Sequence, residues 1–235
     1  MPSTKRADKR RTMEEAVLDT ATEMMRDGGP DALTMAGLAG ELGVSVGGLY
    51  RYYPSKGTIL VGLEMRSIAS YRAVQEDLLV ALEPRLRRHA VPVAALARVL
   101  TAASAYLEHA RRDPLQHRLL TQMLAFPEPL LDENEVREVE VHVRPVIDRG
   151  VTLLAAAVEA GALAPGDAAQ RTFVLWAALQ GADQFRKRDR VLPPPLHSWA
   201  LADAAIDALL RGWGAEPHAL AAARRLVPPL AGRRS

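Results

Sequence analysis

The sequence predicts an all-α protein: three short helices lead into one long helix, and that helix leads into a larger helical domain. Three observations carry this. Apolar residues recur at i, i+3 and i+4 spacing, with almost no strand-like alternation. Ser or Thr precedes several periodic segments as an N-cap, and glycine or proline follows as a stop. Two late segments, 168–185 and 198–213, are apolar or small around most of their circumference, which suits helices covered on more than one side.

The first twelve residues hold Lys5, Arg6, Lys9, Arg10 and Arg11 against Asp8, a net +4 that leaves −2 for the rest of the +2 chain. Residues 1–11 therefore read as a basic flexible arm, either attracted to a polyanion or serving as a solubilising tail. From Met13, small or apolar residues at Ala16, Val17, Ala21 and Met24 predict the first helix, stopped by Gly28-Gly29-Pro30. Thr34 caps a second helix that buries Leu38, Ala39 and Leu42 and ends at Gly43. Ser45 caps a third that Pro54 must end, because the residue before a proline disfavours α geometry. Ser55 caps a fourth over Lys56–Leu82, about 40 Å long at 1.5 Å per residue.

Composition excludes several functions. There is no cysteine, hence no disulfide or thiolate chemistry. No apolar run approaches the ~18–20 residues of a membrane span. The charged N-terminus lacks a signal-peptide core, so a cytoplasmic location is expected. Gly43-Val44-Ser45-Val46-Gly47 matches the G-x-S-x-G nucleophile elbow, with Asp183 and His197 downstream in hydrolase order. That motif needs a strand before the serine, and here a helical segment precedes it. The six histidines have no paired metal-ligand spacing. No catalytic residue, metal or cofactor is expected.

The positive reading is a helix-turn-helix, whose second helix enters a DNA major groove. Leu38, Leu42, Val44 and Leu49 hold the pair together, and Gly43 supplies the tight turn. Gly47 and Gly48 each cost about 1 kcal/mol in a helix, tolerable where bare backbone approaches another surface. Tyr53 is expected to pack on the first helix, leaving Tyr50 and Tyr52 to offer hydroxyls to phosphates. Lys56 adds a charge at a helix N-terminus. Arg51 is placed either to donate to guanine or to meet a phosphate.

The stretch LTMAGLAGELGVSVGGLYRYYPSKGTIL resembles, without a gap, the DNA-binding domain of the tetracycline-repressor-like (TetR/AcrR) transcriptional regulators. The resemblance spans about Arg11 to Leu63. It implies that Thr34, Ser45, Tyr50, Tyr52 and Lys56 contact the DNA backbone, that Val46, Gly47 and Arg51 lie nearest the bases, and that the basic arm also reaches DNA. The sequence departs from the family at Met35-Ala36-Gly37 and Gly40, which offer no long polar reader, and at Gly57, where a charged residue is commoner. With few donors left for direct readout, shape and backbone positioning are expected to carry an unusual share of specificity.

Beyond the domain at 12–54, residues 55–226 are expected to form a regulatory and dimerisation domain, with a basic tail at 227–235. Prolines bracket helices near 93–111 and 115–125. A longer helix over about 133–160 turns Val136, Val139, Val143, Ile147, Leu154 and Val158 inward, and Pro145 either kinks or breaks it. The two late apolar segments read either as central core helices of a monomer or, as function favours, as helices that pair with their copies in a homodimer, with Trp176, Gly181, Trp199, Ile206 and Trp213 at the interface. The resemblance further implies a palindromic operator and repression relieved by a small molecule. For that ligand, expected to be largely apolar, the candidates are Tyr71, Tyr106, Gln122, Met123, Phe126, His142, Trp176 and Gln180. A helical interaction protein without DNA function is the competing reading.

Overall fold

The computed structural model describes residues 4–125 and 131–229. Among these the regular elements are all helical. They are α1 (Thr4–Gly28), α2 (Met35–Glu41), α3 (Val46–Leu49), α4 (Lys56–Leu86), α5 (Val91–Arg112), α6 (Pro114–Ala125), α7 (Glu133–Glu159), α8 (Ala168–Gln184), α9 (Ser198–Gly212) and α10 (Pro217–Leu226), with short 3-10 turns between some of them. Two compact units result. The first takes residues up to Ile68 together with Leu115–His142; the second takes Ala69–Pro114 and everything from Val143.

In the N-terminal unit, Val17, Ala21 and Met25 of α1 meet Leu38 and Ala39 of α2, Leu49 of α3, and Ile59, Leu60 and Leu63 of α4. Leu119 of α6 is buried in the same core, and Leu131 packs against it. Polar bonds support this packing. Ser67 Oγ donates to Gln116 Oε1 (2.8 Å), and Arg118 donates to the Met25 carbonyl (3.1 Å) near the C-terminus of α1, where a cation is favoured. The 55–226 domain expected from sequence is therefore divided, because Leu119 completes a core whose other buried members lie 56 or more residues earlier.

The second unit is organised around α5, which is buried on nearly every side. Its alanines, including Ala94, Ala97, Ala103 and Ala105, allow close helix approach. Although α5 is long and apolar enough to cross a membrane, 67% of its most apolar window is buried in the protein, as in a core helix. Leu154, Leu175, Leu179, Ile206 and Leu220 complete the core. Arg171 lies 5.3 Å over the Trp213 ring and donates to the Ala164 carbonyl (2.8 Å). Arg224 of α10 grips Asp207 of α9 through Nε (2.9 Å) and Nη2 (2.6 Å).

Four sequence expectations need correction. The basic segment from Thr4 is the start of α1 and no separate arm. No glycine or proline interrupts it, and Arg10 pairs with Glu14 one turn on (2.7 Å). Helix α3 ends at Leu49 instead of just before Pro54: Tyr53 N–H still reaches the Leu49 carbonyl (3.1 Å), but Tyr52 N–H bonds the same oxygen at three-residue spacing (2.9 Å), so the chain tightens into a turn. Helix α4 continues past Pro84, and α7 continues through Pro145 without a break. Both prolines are exposed, as are Val80 and Val141, whose carbonyls lose a partner, so water can replace the missing bond. Finally, Val136 of α7 is 51% exposed and does not face inward.

Glu64 of α4 is buried, and its Oε2 has no hydrogen-bond partner among the described residues. Burial pushes its carboxyl up from 4.5 to about 8. The native state thus keeps a proton that the unfolded chain releases, and the associated stability, full below pH 4.5, is lost as pH rises through 8. Glu64→Gln is expected to raise Tm clearly at about pH 8.5 and little at about pH 5. Equal shifts at both pH values in thermal melts would refute this account.

Candidate nucleic-acid interface

The turn between α2 and α3 is fixed by local chemistry. Gly43 adopts φ +64°, Val44 N–H bonds the Ala39 carbonyl (3.0 Å) and Gly43 N–H bonds the Gly40 carbonyl (3.1 Å). This is a Schellman stop, which a residue with a Cβ would strain. Thr34 Oγ1 accepts from Gly37 N–H (3.1 Å) and Ser45 Oγ accepts from Gly48 N–H (3.0 Å), so both predicted caps form. Each hydroxyl keeps its hydrogen for an outside acceptor.

Leu49 is buried and anchors α3, while Val46, Gly47, Tyr50 and Arg51 are exposed around it. The two glycines have different physical reasons. A Cβ on Gly48 would come within 3.1 Å of the Ser45 capping oxygen, whereas one on Gly47 would meet nothing within 4 Å. Gly48 donates its N–H to the cap with little room beside it, and Gly47 leaves bare backbone facing outward. Thr34 and Ser45 are exposed as well, and Tyr52 and Lys56 are half-buried. Tyr53 packs on the core as expected, its hydroxyl donating to the Glu14 carbonyl (3.4 Å). Burial raises its pKa. Arg10, its pKa raised by the bond to Glu14, lies within electrostatic reach of Tyr52, which puts this one basic residue of α1 near the segment.

Of the ligand candidates, Tyr71, Tyr106 and Gln180 are brought together inside the second unit. The tyrosine rings meet edge-on at 6.3 Å, and the Tyr106 hydroxyl donates to Gln180 Oε1. Burial pushes Tyr71 up to about 12 and raises Tyr106 further, with Asp183 adding to the effect, so both phenols stay protonated donors. Sequence reasoning missed His109, whose ring lies 5.8 Å from Tyr71 and whose Nε2 is 3.1 Å from Ser70 Oγ. Its position one turn after Tyr106 on α5 was the available signal. Trp176 packs against the core of its own unit. His142 belongs to the other unit and is not part of this cluster. Phe126 and the side chains of Gln122 and Met123 lie outside the described residues. The second unit also has a cavity of about 410 Å³, lined by Leu86, Arg87, His89, Ala94, Arg98 and Leu153 among others. Arg98 is held there by Glu83 at 2.8 and 2.9 Å.

The dimer candidates divide. Ile206 is 1% exposed and inside its own core, so it cannot meet a second copy. Trp213 is half-buried beneath Arg171. Trp199 is exposed, and Gly181 is exposed with open space beside it. Phe173, Val174 and Ala177, one to two turns before Gly181 on α8, are also exposed. Both segments are apolar or small around most of their circumference, so their sequence did not show which side meets the chain's own core.

A capped, glycine-turned helix pair with an exposed second helix, set in an all-α chain, defines a helix-turn-helix DNA-binding protein. Residues 17–63, which contain the helix-turn-helix, match the family described as bacterial regulatory proteins, tetR family. No curated protein matches it. Several solved structures share its fold. The TetR family transcriptional regulator PfmR from Thermus thermophilus is 20% identical, with 83% of this chain and 97% of that chain covered and a TM-score of 0.59. FadR from Bacillus subtilis, in complex with stearoyl-CoA, is 16% identical, covering 84% and 98%, with a TM-score of 0.60. AibR, in complex with isovaleryl coenzyme A and operator DNA, is 18% identical, covering 84% and 97%, with a TM-score of 0.58.

Ser45→Ala removes the cap and is expected to destabilise the protein by about 1 kcal/mol. Gly47→Ala should leave stability unchanged or raise it by up to about 1 kcal/mol, yet weaken DNA binding. Urea unfolding and DNA titration of both variants check the pair; a stability loss at Gly47 matching that at Ser45 would sink the distinction.

Proposed function

We propose that the protein is a homodimeric repressor that binds a palindromic operator through Thr34, Ser45, Val46, Gly47, Tyr50, Arg51, Tyr52 and Lys56 and is released by a small ligand. The observation that carries this reading is the segment around α3, where hydroxyls, bare backbone and a guanidinium are exposed on a rigid, doubly capped turn. One four-residue helix makes too few contacts for a stable complex, so a twofold dimer presents two copies to half-sites one helical turn apart. The exposed apolar residues Phe173, Val174 and Trp199, with Gly181 open beside them, support α8 and α9 as the pairing surface.

Helix α4 contributes residues to both units, which makes it the proposed route from ligand to DNA. The ligand must bind the DNA-incompetent state more tightly, since equal affinity for both states shifts nothing. The complexes of FadR and AibR with acyl-CoA thioesters favour a ligand of that class here. The cavity with Leu86 and Leu153 beside Arg87 and His89 combines apolar and cationic surface suited to an acyl chain with phosphates. The regulator is expected to work in the cytoplasm, on DNA.

The test is DNA binding by full-length protein at several salt concentrations. Tyr52→Phe/Lys56→Ala is expected to weaken binding by about tenfold or more and to flatten the salt dependence by about one ion per protomer. A double variant that binds as the wild type does would remove these residues from the interface. Trp199→Glu or Gly181→Glu should convert the dimer to a monomer in light scattering and weaken operator binding in parallel. An unchanged mass would move the dimer surface elsewhere.

A further inference from the structure

The start of α4 has a partner that neither the family resemblance nor the sequence motif accounts for. Ser55 and Thr58 cap the helix reciprocally, Ser55 N–H donating to Thr58 Oγ1 (3.2 Å) and Thr58 N–H to Ser55 Oγ (2.9 Å). The Ser55 hydroxyl then donates to Glu135 Oε1 (3.1 Å), eighty residues away at the start of α7. Glu135 Oε2 accepts from Asp132 N–H (2.9 Å), while Asp132 Oδ1 accepts from Asn134 N–H (2.8 Å) and Glu135 N–H (2.9 Å). One carboxylate therefore closes the capping box of α7 and sits at the positive end of α4. Gly57 is what admits it: a Cβ there would fall inside the van der Waals surface of the Glu135 carboxylate. All these residues belong to the N-terminal unit.

We propose that Glu135 is a resident anion at the N-terminus of α4, holding the place a DNA phosphate takes beside Lys56 and thereby setting the affinity of the α3 segment for DNA. The proposal rests on the DNA-binding reading. A helix N-terminus attracts negative charge within its first turn. The Glu135 carboxylate satisfies that attraction internally and repels an incoming phosphate. Gly57 is part of the same device, since any side chain at this position displaces the carboxylate.

The experiment uses full-length protein and a duplex that the wild type enriches from a random-sequence pool. Binding is measured by fluorescence anisotropy between about 50 and 200 mM salt for wild type, Glu135→Gln and Glu135→Lys. Glu135→Gln keeps an acceptor for Ser55 and removes the charge; it is expected to tighten binding about two- to tenfold at about 50 mM salt. Glu135→Lys should tighten it further, and both gains should shrink toward about 200 mM as screening grows. A merely structural role for Glu135 would give weaker binding in step with a lower Tm and no such salt dependence, and that result overturns the proposal. So does wild-type affinity in both variants. If Glu135→Lys fails to fold, Gly57→Ala replaces it, expelling the carboxylate without changing net charge, and it too must tighten binding. A wild type that enriches no sequence overturns the regulator reading along with this one, whereas a wild type that binds and is matched by its variants overturns this one alone.

Discussion

A helix of four residues cannot hold itself together, because nucleation costs more than one or two hydrogen bonds return. Everything α3 presents to the outside therefore depends on how it is pinned. Leu49 pins it from below, buried among Val17, Leu38 and Leu60. Ser45 closes its first turn and the Gly43 stop delivers the chain to it at a set angle. With these three restraints in place, Val46, Gly47, Tyr50 and Arg51 are held outward on a short, stiff platform instead of on a loop.

Glycine distribution follows the same logic of place. Gly43 is favoured by its backbone angle, whereas a Cβ on Gly57 would meet the Glu135 carboxylate and one on Gly62 would lie 2.9 Å from Leu18 Cδ2. Gly57 and Gly62 let a side chain inside the N-terminal unit approach closely. Gly47 answers to nothing inside the protein.

The second unit solves a different problem. Its alanine-rich central helix allows tight packing, yet it carries Tyr106, His109 and Glu108 inward. Burial opposes the charge on Glu108, but the bonds from Arg111 (2.7 Å) and Arg112 (2.8 Å) outweigh it and hold the carboxyl below its usual range. Tyr106 and His109 are joined instead to Gln180, Tyr71 and Ser70. Buried polar groups satisfied by one another are specific to one arrangement of the helices.

The elements readable from the sequence were those written in signals a few residues long. The caps at Thr34, Ser45 and Ser55, the stop at Gly43, the inward faces of the first two helices and the Tyr53 contact all rest on spacing and side-chain chemistry within a turn or two. Such signals are local, so they determined the helix-turn-helix and its exposed residues. What lies far apart in the chain was decided by tertiary packing alone. Leu119 joins the N-terminal core, Glu135 reaches the start of α4, His109 meets Tyr71, and Ile206 turns inward while Trp199 stays exposed. A helix apolar on every side carries no mark of which side its own chain will cover, and a glycine carries no mark of the side chain that will occupy its space. Only the folded arrangement of neighbours, through burial and steric exclusion, settles both.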